Sequence, residues 1–210
     1  GEGLGGVRFA AQVSARPELG IAAGSAELHV PTPGVHTVLP ALAAVAVGLV
    51  EGLGWGEIAR GLEAQAAVLR LAPKRVRGGG VTLLDDTYNA SPLSTRAALD
   101  LLAQLPGRRV GVLGDMLELG AYEAQGHREV GERAGEILDV LVTVGPRAVG
   151  IADAAVRRGL PPEAVRMAES VEEAIGIVAD LLREGDVLLV KGSRSVGLEA
   201  LVAAIEEREA

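Results

Sequence analysis

Residues 81–92 read VTLLDDTYNASP. An apolar run meets two adjacent carboxylates, Asp85 and Asp86, then the pair Tyr88 and Asn89, then Ser91-Pro92. Ser-Pro is a natural helix opening, because Ser caps the first turn and Pro at the first helical position forfeits no intrahelical hydrogen bond. A strand that feeds a helix through a polar exit is the unit of an α/β fold, and here the unit recurs. Strands are expected at 81–86, 108–115, 140–145, 164–169 and 186–192, alternating with helices at 92–105, 123–136, 147–158, 170–183 and 195–207. Short Val/Leu-rich strands without polar alternation are buried on both faces, so residues 73–210 are expected to form a Rossmann-like, doubly wound, mostly parallel sheet.

Upstream the pattern differs. Residues 7–30 alternate in short segments separated by Gly-containing turns and read as β-hairpin material. Two helices follow, at 38–50 and 54–65, joined at GLGWG (52–56), where Gly breaks the first and Trp55 packs the second. The boundary between the two patterns falls near Ala72, which divides the chain into domains 1–72 and 73–210.

Composition narrows the possible functions. The 210 residues carry 20 basic and 28 acidic side chains, a net charge of −8, with 2% aromatic residues. Neither a basic stripe nor base-stacking platforms are available, so nucleic acid is not an expected partner. The absence of cysteine removes disulfides and thiolate chemistry and fits a reducing compartment, so a cytoplasmic setting is expected. The longest apolar run, residues 38–50, is too short for a membrane span, and no signal-peptide pattern is visible. The opening GEGLGG lacks a methionine, which leads to the expectation that a longer protein has been cut or processed.

Rare residues fall in suggestive places: Asn89 is the single asparagine, and Lys191 is one of only two lysines, the other being Lys74. Three strand exits, LLDDTYNASP (83–92), VGVLGDMLELG (110–120) and LLVKGSRS (188–195), would lie on one edge of the sheet, where open α/β sheets bind ligands. A carboxylate at the first exit can hold a ribose diol, or Asp85 or Asp86 can cap the helix near Pro92, where Ser91 is also a natural cap. At the second, Asp115 can orient a ligand amine with Glu118 and His127 steering it, or the segment is a turn with His127 on a helix face. At the third, Lys191, Ser193 and Arg194 precede a helix N-terminus suited to anions, or form a turn with solvated cations. No Ser-His-Asp order, HExxH, GxGxxG or phosphate-loop motif occurs.

Taken together, these strings resemble the Mur ligase family, in its D-alanyl-D-alanine-adding branch. DDTYNASP is similar to the family's D-D-[ST]-Y-N-A-N-P, VLGDMLELG with the later His127 to G-D-M-x-E-L-G with a downstream His, and VKGSRS to K-G-S-R. At the front, PTPGVHTVLPALAAVAVGL (31–49) resembles G-x-H-N-x-x-N-A-x-A-A, and LAPKRV (71–76) an interdomain P-G-R-x segment. The resemblance implies that residues 1–72 end a central ATPase domain and that 73–210 are the C-terminal domain. It implies an ATP-dependent peptide ligase of peptidoglycan precursor synthesis. A UDP-N-acetylmuramoyl-tripeptide carboxylate is phosphorylated by ATP with Mg2+, and the amine of D-alanyl-D-alanine attacks the acyl phosphate. ATP contacts are implied at Arg75, Asp86, His36 and Thr37, and dipeptide or phosphate contacts at Tyr88, Asn89, Asp115, Lys191, Ser193 and Arg194.

Departures from the pattern are Thr37 and Pro40 in place of two Asn, Ser91 in place of the Asn of N-A-N-P, and Lys74 in place of a usual Gly. The phosphate loop, metal ligands and catalytic lysine of the family have no counterpart in this segment, which alone is expected to be inactive. Other Mur-type or folylpolyglutamate-type ligases, or a non-catalytic Rossmann-like binding module, are the alternative readings. Residues 38–50 are expected to expose apolar surface, and Pro40 is tolerable only in the first turn of its helix.

Overall fold

Strands β1 (Val7–Val13) and β2 (Gly24–Val30) form an antiparallel hairpin, with Val7 opposite Val30 and Val13 opposite Gly24. The coordinates are a computed structural model that describes residues 5–32, 34–64, 73–76, 78 and 80–207, and the chain divides into units of residues 1–72 and 73–210. Helices α1 (Val38–Val50) and α2 (Trp55–Ala64) complete the first unit. Its core joins Ala11, Leu28 and Val30 of the hairpin to Ala41 and Val45 of α1 and Ile58 and Leu62 of α2, with Trp55 packed against them. Pro40 is the third residue of α1, so its missing N–H falls in the first turn, where no intrahelical acceptor awaits it. Only Ala41, Val45 and Gly48 of α1 are buried, whereas Leu39, Val47 and Val50 are 75%, 63% and 51% exposed. Gln65, the expected end of the second helix, lies outside the described residues, as does Ala72.

The second unit is a six-stranded sheet of β3 (Pro73–Val76), β4 (Val81–Asp86), β5 (Arg108–Gly114), β6 (Val140–Val144), β7 (Val165–Ala168) and β8 (Asp186–Lys191). Its spatial order is β3-β4-β8-β5-β6-β7. Every neighbouring pair is parallel except β3 with β4. The helices are α3 (Pro92–Leu102), α4 (Glu123–Ile137), α5 (Val149–Arg158), α6 (Val171–Leu181) and α7 (Glu199–Glu207). Alternate strand residues, among them Leu83, Leu188, Val110 and Val142, pack with Ala174 and Val178 of α6 and Leu201 and Ile205 of α7. Neighbouring helices α3, α4 and α5 cover the opposite face, where Leu99, Val130 and Ile151 are fully buried. All six residues of β8 are buried, as a central parallel strand with both faces covered requires.

The expected α/β alternation is present, with shifts at element ends. The strand β3 is an addition: PKRV shows no apolar alternation, and Pro73 at its first position fits an edge strand. The last helix begins at Glu199 and not at 195, because a 3-10 turn over Arg194–Val196 ends at Gly197, whose φ of 78° is left-handed.

Helices α4 and α5 approach closely because α4 carries glycine where they touch: a Cβ on Gly131 would stand 2.3 Å from the Ile151 carbonyl oxygen. Gly131→Ala is therefore expected to lower stability by about 1–3 kcal/mol through overpacking, against the helix propensity of Ala. The matched control is Gly176→Ala in α6, where a Cβ meets nothing within 4 Å and a gain of up to about 1 kcal/mol is expected. Urea denaturation of the two variants checks the opposite signs.

Candidate functional site

Three neighbouring strands, β4, β8 and β5, deliver their carboxyl ends to one side of the sheet, and their exits line one cleft of roughly 580 Å³. Residues 88–91 come from the β4 exit, 117–119 from the β5 exit and 193–195 from the β8 exit. The strand order makes this possible. The chain leaves β4 through α3, skips one position to β5, and only later inserts β8 between them. Ligands of doubly wound sheets bind at such reversals.

Asp86 and Lys191 are register partners at the last positions of β4 and β8. Their side chains point to the same face, and the Lys191 ammonium lies 2.5 Å from Asp86 Oδ2, with the residues 2% and 5% exposed. Lys191 also donates to the Asn89 carbonyl at 2.8 Å, which fastens the loop after β4 to the end of β8. Asp85 turns the other way and accepts from the Thr87 N–H at 3.2 Å and the Thr87 hydroxyl at 2.8 Å, forming a local turn. Neither aspartate caps α3. That role belongs to Ser91, which accepts from the Ser94 N–H at 3.3 Å while the Ser94 hydroxyl oxygen accepts from the Ser91 N–H at 3.0 Å.

The β5 exit is pinned at successive positions. Asp115, 4% exposed, accepts from the Arg147 and Ala148 N–H groups at 2.9 and 2.7 Å through Oδ1, and Arg147 Nη1 lies 3.5 Å from Oδ2. Its carboxyl group fills the space beside Gly145, whose φ of 100° and lack of a side chain leave room for it. The Met116 N–H donates to His127 Nε2 at 3.0 Å, and His127 Nδ1 lies 2.8 Å from the Glu123 carbonyl. These partners fit the neutral ring with its proton on Nδ1. The Leu117 N–H donates to the Ser193 hydroxyl oxygen at 2.9 Å, and the Ser193 N–H donates to the Asp115 carbonyl at 3.0 Å, so the β5 and β8 exits are stitched together.

Above this buried layer stand exposed groups. Tyr88 is 57% exposed, and the Arg194 guanidinium lies over its ring, 5.2 Å from the centroid, a cation–π arrangement. Asn89 is exposed and accepts from the Ala90 N–H at 2.8 Å. The sequence-derived candidates thus separate by depth: Asp86, Asp115 and Lys191 are buried beneath the cleft, Ser193 is buried in its wall, and Tyr88, Asn89 and Arg194 face it from exposed positions. Arg75 is exposed on the edge strand β3. Thr37 belongs to the first unit and donates its hydroxyl to the Gly34 carbonyl at 2.8 Å, and the side chain of His36 lies outside what is described. The lining residues Ala90, Leu117, Leu119 and Ser195 carried no sequence signal beyond their place within the motifs.

The family model described as Mur ligase, glutamate ligase domain, matches residues 70–194. The chain belongs to the Mur ligase family. It is 36% identical over 186 residues to the UDP-N-acetylmuramoyl-tripeptide–D-alanyl-D-alanine ligase of Escherichia coli K12, a match covering 88% of this chain and 40% of that enzyme. Crystal structures of MurF from Acinetobacter baumannii (34% identical, TM-score 0.74) and of Thermotoga maritima MurF with ADP (25%, 0.69) each align with 88% of this chain. The alignments cover 40% and 41% of those chains. The present chain therefore spans about two fifths of the length of the Mur ligases it matches.

Removing the Ser193 hydroxyl leaves the partly buried Leu117 N–H without its acceptor. Ser193→Ala is expected to cost about 1–2 kcal/mol and to speed hydrogen exchange at the Leu117 amide selectively, whereas exchange at strand-centre amides such as Leu189 falls off only with global stability. Amide exchange followed by NMR reads both.

Proposed function

We propose that this segment is the acceptor-binding part of a cytoplasmic, ATP-dependent ligase that joins D-alanyl-D-alanine to UDP-N-acetylmuramoyl-tripeptide during peptidoglycan precursor synthesis. The observation that carries the reading is the convergence of the three strand exits on one cleft. Around it, a rigid buried layer supports an exposed guanidinium, phenol ring and amide. Such a layer holds binding groups to a fixed geometry, which amide-bond formation between separate substrates demands.

The reaction has two steps. The tripeptide carboxylate attacks the γ-phosphorus of ATP, giving an acyl phosphate and ADP. The dipeptide amine then adds to the acyl carbon, loses a proton, and expels inorganic phosphate from the tetrahedral intermediate. In this reading Arg194 receives the dipeptide carboxylate, with Tyr88 holding the guanidinium in place, and Asn89 offers its amide to the peptide. Lys191 and Asp115 are positioning residues beneath the cleft, and Ser193 is one in its wall. Arg75, Asp86, His36 and Thr37 are the proposed nucleotide side, residues 1–72 being the end of the central ATPase domain. Asp86 would reach a ribose only by sharing its carboxylate with Lys191. Among the described residues no cluster of three or more His, Cys, Asp or Glu side chains could hold a metal ion. No described helix is long and apolar enough to cross a membrane.

With the full-length protein, ADP release is expected to require UDP-N-acetylmuramoyl-tripeptide and D-alanyl-D-alanine together. Arg194→Ala is expected to raise KM for the dipeptide by roughly tenfold or more, since a charge-assisted contact contributes more than ~1.4 kcal/mol. ADP release that is independent of the dipeptide would refute the reading.

A further inference from the structure

Many charged side chains of the second unit pair with one another. Arg108 holds Asp186 at 2.8 Å, Arg133 holds Asp100 and Glu136, Arg147 holds Glu123 and Asp115, and Lys74 holds Glu206. Among the described residues two charged side chains line the cleft, Glu118 and Arg194. Both are exposed, and among the described residues neither has an oppositely charged side chain within ion-pair distance. The cleft therefore presents one anion and one cation over a floor that includes Ala90, Leu117 and Leu119. That complement fits a zwitterion.

Glu118 is also the one non-glycine among the described residues with a positive φ, 62°. A side chain in this region costs backbone energy, which must be offset by its surroundings. The surroundings are the pins already described: Met116 on His127, Leu117 on Ser193, and beyond Glu118 the Tyr122 N–H donating to the Leu119 carbonyl at 3.1 Å. Asp115, three residues earlier, has its carboxylate turned inward to Arg147 and Ala148. Of the two carboxylates on this exit, only Glu118 is available to a ligand.

We infer that Glu118 receives the ammonium group of the incoming dipeptide, opposite the carboxylate at Arg194, and that Asp115 only positions the loop that carries it. The inference rests on the proposed activity. Its test uses the full-length protein with Glu118→Gln and Glu118→Gly. The probes are D-alanyl-D-alanine as substrate and, as competitor, the analogue in which hydrogen replaces the ammonium, propanoyl-D-alanine.

Both variants are expected to raise KM for the dipeptide on the order of tenfold, with KM for ATP and Ki for that analogue unchanged. Glu118→Gly, which suits a left-handed φ, is expected not to lower Tm, so loss of recognition separates from loss of structure. An unchanged dipeptide KM in either variant, or a parallel rise in Ki for the analogue, would overturn the role of Glu118. A wild-type protein that does not turn over D-alanyl-D-alanine would instead overturn the activity itself, and the inference with it.

Discussion

A lysine ammonium and an aspartate carboxylate, buried side by side at the ends of two adjacent parallel strands, constrain everything above them. Removing two charges from water costs several kcal/mol per ion, and their attraction offsets that cost only with close geometry and further hydrogen bonds. Lys191 meets both conditions, with Asp86 Oδ2 at 2.5 Å and the Asn89 carbonyl at 2.8 Å. A pair of leucines would fill such a place at less electrostatic risk. What leucines could not do is bind a backbone carbonyl of the adjoining loop, and that contact places residues 88–91 against the end of β8.

From this clasp the cleft is assembled in layers. The β4 exit is tied to β8 through Lys191, the β8 exit to β5 through Ser193, and the β5 exit to α4 and α5 through His127 and Asp115. Each tie uses a buried polar side chain to satisfy a backbone group that a loop would otherwise leave unpaired, so order in the loops is coupled to the fold. The exposed layer, Tyr88, Asn89, Glu118 and Arg194, stands above these ties on a backbone they hold in place.

Much of the fold was legible in the sequence, because Val/Leu-rich strands and helices at regular intervals admit few other arrangements. Strand β3 was not, since four residues on an edge need no apolar pattern. The three exits were legible as one edge of the sheet. The pairing of Asp86 with Lys191 was not, because the partners stand 105 positions apart and the order β4-β8-β5 is set by packing rather than by succession. Motif resemblance grouped buried and exposed residues together, and only burial separates the supports Asp115, Lys191 and Ser193 from the facing groups. The left-handed backbone at Glu118 leaves no trace in composition or periodicity, since nothing about glutamate favours it.

The central claim, that Asp86 and Lys191 act as a unit, is tested most directly by a double-mutant cycle. The cycle compares Asp86→Leu, Lys191→Met and the double variant by denaturant unfolding. The account predicts that each single variant, left with one uncompensated buried charge, loses about 3–5 kcal/mol, and that the double variant loses much less than their sum. Losses that simply add would show the two groups to be independent, and the clasp would then not be what holds the cleft together.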